Sequence, residues 1–102
     1  MIGLLRSKCA AIADACARYG VARLEVFGSA SREDFQSDES DLDLLVEFAP
    51  MESYARVDAY FGMLDELRTL LGRDIDLVMV GAIKNPYIAR DIARTKQLLY
   101  AA

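Results

Sequence analysis

Histidine and tryptophan are absent from these 102 residues, and cysteine and proline occur only twice each. Without histidine there is no Ser-His or Cys-His nucleophilic pair, and two isolated cysteines provide no zinc framework. Acid–base or metal chemistry therefore falls to carboxylates. Cys9 and Cys16 lie seven apart in a helical stretch, roughly 10 Å between Cα atoms, too far for a disulfide, and they read as core thiols. Positive charge is also thin. Twelve Lys and Arg face sixteen Asp and Glu, for a net charge of −4. The cations are scattered singly, so the broad basic face that drives binding to long nucleic acid is missing. No apolar run approaches the roughly 20 residues of a membrane span, and Met1 to Leu5 lacks the charged-then-apolar pattern of a leader, so a cytoplasmic protein with no membrane partner is expected.

What is present is the profile of a globule: 54% hydrophobic and 27% charged residues. A chain of this length has room for one core, and residues 1–102 are expected to form a single domain. From Ile2 to Tyr19 the apolar residues Ile2, Leu5, Cys9, Ile12 and Cys16 recur at three and four, which predicts an amphipathic helix ended by Gly20. Val21 to Phe27 follows as a strand closed by Gly28. Leu42 to Phe48 and Ile75 to Val80 predict two further strands. The helix between them, Ser53 to Leu71, is expected to bury Val57, Phe61, Leu64, Leu67 and Leu71. Tyr54, Tyr60 and Phe61 read as core rather than as a base-stacking platform. Asn85-Pro86 pairs an N-cap with a proline at the first helical position, opening a helix to about Thr95, and Leu98-Leu99-Tyr100 forms a closing strand. The order is α-β-β-α-β-α(-β), an α/β (α+β) architecture of one small mixed sheet flanked by helices. Gly28 to Ser40 is an unusually long connection, which in a small domain points to function.

Asp41 and Asp43 stand at i and i+2 at the start of the second strand, so alternation puts both carboxylates on one face. Asp76 opens the third strand in the same way. If the long helix is a crossover, these two strands are parallel and both starts reach one edge; an antiparallel first strand delivers Gly28-Ser29 to the same edge. Asp74 shares the parity of Asp76 and is the alternative acid, with the Ile-Asp-Leu-Val context favouring Asp76. Glu47, further along the Asp face, reads as surface charge. Carboxylates within about 5 Å repel by roughly 3 kcal/mol per pair at an effective dielectric near 20. Raised pKa values or divalent cations must offset that, and an all-oxygen donor set suits Mg²⁺. Two such ions are the arrangement that clamps both oxygens of an in-line displacement at phosphorus. Gly28 and Ser29 supply a turn at which backbone amides can approach phosphate.

Gly28-Ser29-Ala30-Ser31-Arg32, then Ser40-Asp41-Leu42-Asp43-Leu44-Leu45-Val46, then Asp74-Ile75-Asp76-Leu77-Val78, resembles the polymerase-beta-like nucleotidyltransferases. More narrowly the chain resembles the minimal nucleotidyltransferase (MNT) antitoxins encoded beside HEPN-type toxins, over essentially its whole length. The resemblance implies that Asp41 and Asp43 bind two Mg²⁺ ions, that Asp76 completes one metal site and helps deprotonate or orient the attacking hydroxyl, and that Gly28, Ser29 and Arg32 hold the triphosphate of ATP. It further implies transfer of AMP to a tyrosine of the partner toxin, with pyrophosphate leaving. Two departures stand out. Eleven residues, Ala30 to Ser40, occupy a stretch that is commonly ten in the family, and Glu33 replaces a frequent glycine, an added negative charge beside the phosphate loop.

Size bears on the acceptor. About a hundred residues can hold a triphosphate yet leave little surface for a second substrate, so a macromolecule or a partner subunit must finish the site. Two other functions stay open: a catalytically silent antitoxin that acts by binding alone, and a transferase acting on a small hydroxylated molecule such as an aminoglycoside.

Overall fold

A computed structural model describes residues 3–28 and 42–102. Ile2, Ser29, Arg32, Glu33 and Asp41 lie outside the described residues. The elements are α1 (Gly3–Ser7), α2 (Cys9–Arg18), β1 (Val21–Phe27), β2 (Leu42–Phe48), α3 (Ser53–Leu71), β3 (Ile75–Met79), α4 (Pro86–Thr95) and β4 (Gln97–Ala101). The strands form one mixed sheet in the order β3-β2-β1-β4. β1 runs antiparallel to β2 and β4, whereas β2 and β3 are parallel and joined by the crossover α3. The expected mixed sheet flanked by helices, and the convergence of the β2 and β3 starts, are what the chain adopts.

The first helix departs from expectation, because it is broken at Lys8, whose φ and ψ are −104° and 8°. The Ser7 hydroxyl donates to the Leu4 carbonyl (2.9 Å), which also accepts from the Lys8 amide at 3.2 Å. A serine that bonds back to its own turn competes with the helical ladder and bends it. Cys9 begins the second segment exposed while Cys16 is buried, so only one of the two cysteines is a core thiol. Burial pushes the Cys16 thiol up to about 12.

One face of the sheet carries the main core. Alternation sends Leu24 and Val26 of β1, Leu42, Leu44 and Val46 of β2, and Ile75 and Leu77 of β3 to this side, against Leu5, Ile12, Cys16, Met63, Leu64 and Leu67 from the helices. Each such side chain contributes on the order of 1.5–3 kcal/mol by leaving water. The seam between α2 and α3 is close: a Cβ on Gly62 would meet the Tyr19 ring at 2.5 Å. Arg18 closes that seam with an ion pair to Glu66 and pairs within its own helix with Asp14 at 3.4 Å.

α3 buries a stripe rotated from the expected one. Met63, Leu64, Leu67 and Leu71 are buried, but Val57 and Phe61 are 53% and 59% exposed, and Tyr54 is 81% exposed. Three residues before Met63, Tyr60 takes the inward position and its hydroxyl donates to the Leu77 carbonyl at 2.6 Å. Phe61, one residue on and about 100° around the helix, is turned outward and rests edge-on against Tyr60, ring centroids 5.2 Å apart.

The opposite face is covered lightly. Phe27, Leu45 and Ile92 form a small second cluster there, joined by Val78 and Ile83. α4 is the helix above it, opened as expected by Asn85, whose side chain accepts from the Tyr87 amide at 2.9 Å, with Pro86 in the first turn.

Candidate active site

β2 alternates across the sheet: Leu42, Leu44 and Val46 enter the main core, which leaves Asp43, Leu45 and Glu47 to the lightly covered face. β3 does the same with Ile75 and Leu77 inward and Asp76 and Val78 opposite. Asp43 is level with Asp76 across the parallel pair and opposite Phe27 across the antiparallel pair. Adjacent strands lie about 4.8 Å apart, so two carboxylates leave neighbouring backbone positions on the same side. The two like charges repel, and solvent at exposed Asp76 screens part of that repulsion. Asp74 does not share this position. It precedes β3, is exposed, and its carbonyl accepts from the Leu42 amide at 3.1 Å. Glu47 is exposed, as expected of surface charge.

β1 ends at the same edge. Gly28 has φ +71°, and a Cβ placed there would meet Asp43 Oδ2 at 2.9 Å. Glycine is favoured first by that φ, at which an L side chain is strained, and a methyl group there would also push the Asp43 carboxylate aside. The Gly28 amide donates to Thr95 Oγ1 at 3.0 Å, and the Thr95 hydroxyl donates in turn to the Asp91 carbonyl at 2.9 Å. The last turn of α4 is therefore bonded to the first residue of the expected phosphate loop.

Beside the acids, a cavity of about 320 Å³ opens beneath α4, lined by Phe27, Val78, Ile83, Ile88 and Ile92, with Asp76, Lys84 and Asn85 as its polar members. Its walls are apolar and its acid comes from the pair just described. That combination accommodates a flat ring next to a charged reacting group. Of the six expected site residues, Gly28, Asp43 and Asp76 are brought together, while Ser29, Arg32 and Asp41 lie outside the described residues. Lys84 and Thr95 were missed by sequence reasoning. A lone lysine in a connection looks like a solvated charge, and nothing local marks a contact between Thr95 and a residue 67 positions earlier.

Among the described residues no group of three His, Cys, Asp or Glu side chains is gathered to hold a metal ion. Asp43 and Asp76 supply two members of the expected trio. Their donors are hard oxygens in a chain without histidine, a set that fits Mg²⁺ rather than a softer metal.

A mixed sheet whose open face presents in-register carboxylates next to a glycine turn is the framework of a nucleotidyl-transferring fold. The model of the nucleotidyltransferase domain family matches residues 9–99, and the chain belongs to that family. It is 44% identical over 75 residues, 74% of this chain and 72% of its counterpart, to a candidate protein adenylyltransferase of Methanocaldococcus jannaschii. A solved structure of a candidate minimal nucleotidyltransferase superposes with a TM-score of 0.73 at 32% identity, covering 91% of this chain and 90% of that one. A chain from the complex of the tri-AMPylated Shewanella oneidensis HEPN toxin with its MNT antitoxin shares the fold, with a TM-score of 0.62 at 18% identity over 96% of this chain and 73% of that chain.

Proposed function

We propose that this chain is a cytoplasmic antitoxin, a single nucleotidyltransferase domain over 1–102, that transfers AMP from ATP to a tyrosine hydroxyl of a HEPN-type toxin and so silences it. The observation that carries this reading is the level placement of Asp43 and Asp76 beside Gly28 on the open face of the sheet. The named activity of the archaeal relative and the AMPylated toxin in the complex of shared fold support the acceptor class.

The roles follow from the chemistry. The bond between the tyrosine oxygen and the α-phosphorus of ATP forms, the bond from that phosphorus to the bridging oxygen breaks, and pyrophosphate departs. The phenolic proton passes toward Asp76, whose carboxylate lines the apolar cavity where an aromatic ring can rest. Gly28 makes the turn beside the triphosphate, Ser29 offers it a backbone amide and Arg32 meets a phosphate oxygen. Asp41, Asp43 and Asp76 would hold two Mg²⁺ ions, which when bound supply positive charge to the phosphates and offset the repulsion among the acids. The Asp43 carboxylate fills the space a Cβ on Gly28 would need, so the acid site adjoins the start of the phosphate loop.

The test is direct. Purified protein is incubated with ATP, Mg²⁺ and the toxin encoded beside it, and the toxin's intact mass is followed. The toxin should gain mass in steps of one AMP, and Asp43→Asn should slow this by about a thousandfold or more, roughly 4 kcal/mol of transition-state stabilisation. Unchanged labelling by that variant would defeat the reading.

A second reading, neutralisation by binding alone, is favoured by one observation. Tyr54, Val57, Phe61 and Val80 are exposed apolar side chains, and Val57, Phe61 and Met79 line a cavity of about 240 Å³ at the α3–β3 edge. Apolar surface of this kind marks sites of protein association. Full protection of cells by the Asp43→Asn protein would support binding alone.

A further inference from the structure

We infer that Thr95 is a positioning residue for nucleotidyl transfer, acting through the backbone of Gly28; this rests on the adenylyl-transfer reading above. The Thr95 hydroxyl has one proton, and that proton is committed to the Asp91 carbonyl four residues earlier at 2.9 Å. Its lone pairs are thereby aimed away from the helix, and the Gly28 amide donates to them at 3.0 Å. The three groups form a relay, amide to hydroxyl to carbonyl, in which each bond polarises the next.

Two consequences bear on the site. First, the Gly28 N–H is engaged by protein, so the amides that meet phosphate belong to the residues that follow it. Second, the Gly28 amide is fixed by Thr95, and the Asp43 carboxylate fills the space a Cβ on Gly28 would need. At φ +71° a glycine has many other accessible conformations. The Thr95 bond holds this one, at the end of β1 beside Asp43. α4 is also the helix whose Ile88 and Ile92 wall the cavity containing Asp76. One short helix thus anchors Gly28 and supplies the cavity wall together. Lys96 grips the same end of β1 through Glu25 at 3.7 Å without touching Gly28, which makes it a control for helix docking alone.

Thr95→Val keeps the shape of the side chain and removes the hydroxyl; Thr95→Ala serves in its place if the valine protein lacks the wild-type circular dichroism spectrum. The removal should lower kcat for AMP transfer to the toxin by about tenfold or more, with the KM for ATP changed by about threefold or less, because a shifted loop misaligns reacting atoms more than it loses contacts. Thr95→Ser should return kcat to within about twofold of wild type, and Lys96→Ala should leave it there. Amide hydrogen exchange at Gly28 should quicken in Thr95→Val and not in Lys96→Ala. Wild-type kcat in Thr95→Val, an equal loss in Lys96→Ala, or no recovery in Thr95→Ser overturns the inference while leaving the transferase reading intact. So does failure of both the valine and alanine proteins to fold, which would make the contact one of stability. A wild-type chain that transfers no AMP overturns the functional reading, and this one with it.

Discussion

The two faces of the sheet are built to opposite rules. On one, α1, α2 and α3 cover Leu24, Leu42, Leu44 and Val46 completely, and β1, β2 and β3 send their most deeply buried side chains there. On the other, α4 sets Ile92 over Phe27 and Leu45, joined by Val78 and Ile83, and the neighbouring positions carry Asp43 and Asp76 in register. Stability is concentrated on the first face. The second keeps two like charges together, an arrangement that a bound cation would favour. A β-strand makes this division possible with a period of two, since Leu42 and Asp43 are chain neighbours on opposite sides of a single layer.

That contrast can be broken from either side. Leu67→Ala, on the covered face, should destabilise the protein by about 2–5 kcal/mol, read as a fall in denaturation midpoint, with AMP transfer unchanged at temperatures where the protein stays folded. Gly28→Ala, on the open face, strains the backbone and sets a methyl group against Asp43 Oδ2. It should cost about 1–2 kcal/mol in stability yet reduce transfer by more than that loss of folded protein explains, measured by comparing initial rates with melting curves. The smallest effect concerns the thiols. Exposed Cys9 should react promptly with a disulfide reagent, while Cys16, held protonated by burial, should react only on unfolding. Because the folded Cys16 thiol titrates near 12 against 9.0 for its ordinary value, the unfolded chain loses that proton first as pH rises. Stability should therefore be flat below 9 and decline from there toward 12, seen in urea midpoints taken across that range.

Much of this division was legible in the chain. Asn85-Pro86 opens α4 because capping chemistry is local, and α3 spans Ser53–Leu71 as its periodicity requires. The parity of Asp43 and Asp76, with a helix long enough to cross over, was sufficient to bring them to one face. What was not legible depends on neighbours distant in sequence. Val57 and Phe61 continue an apolar stripe that satisfies helical spacing, but Tyr60 wins the inward position through a hydrogen bond to Leu77 that only tertiary structure supplies. Cys9 fits the same stripe as Cys16, yet the bend at Lys8 follows from a single serine hydroxyl. Glu25 alternates like a surface residue and is nevertheless buried, held by Arg23 at 3.3 Å and Lys96 at 3.7 Å. Thr95 belongs to the same class, a polar residue with an ordinary place in its own helix and a particular partner elsewhere.

The central claim, that Asp43 and Asp76 act as one unit on the open face, is tested most directly by a double-mutant cycle of AMP transfer with Asp43→Asn, Asp76→Asn and the pair combined. Groups that serve one centre are not additive. The combined variant should transfer no more slowly than the worse of the two single ones. Losses that multiply, each residue contributing in full whether or not the other is present, would contradict it.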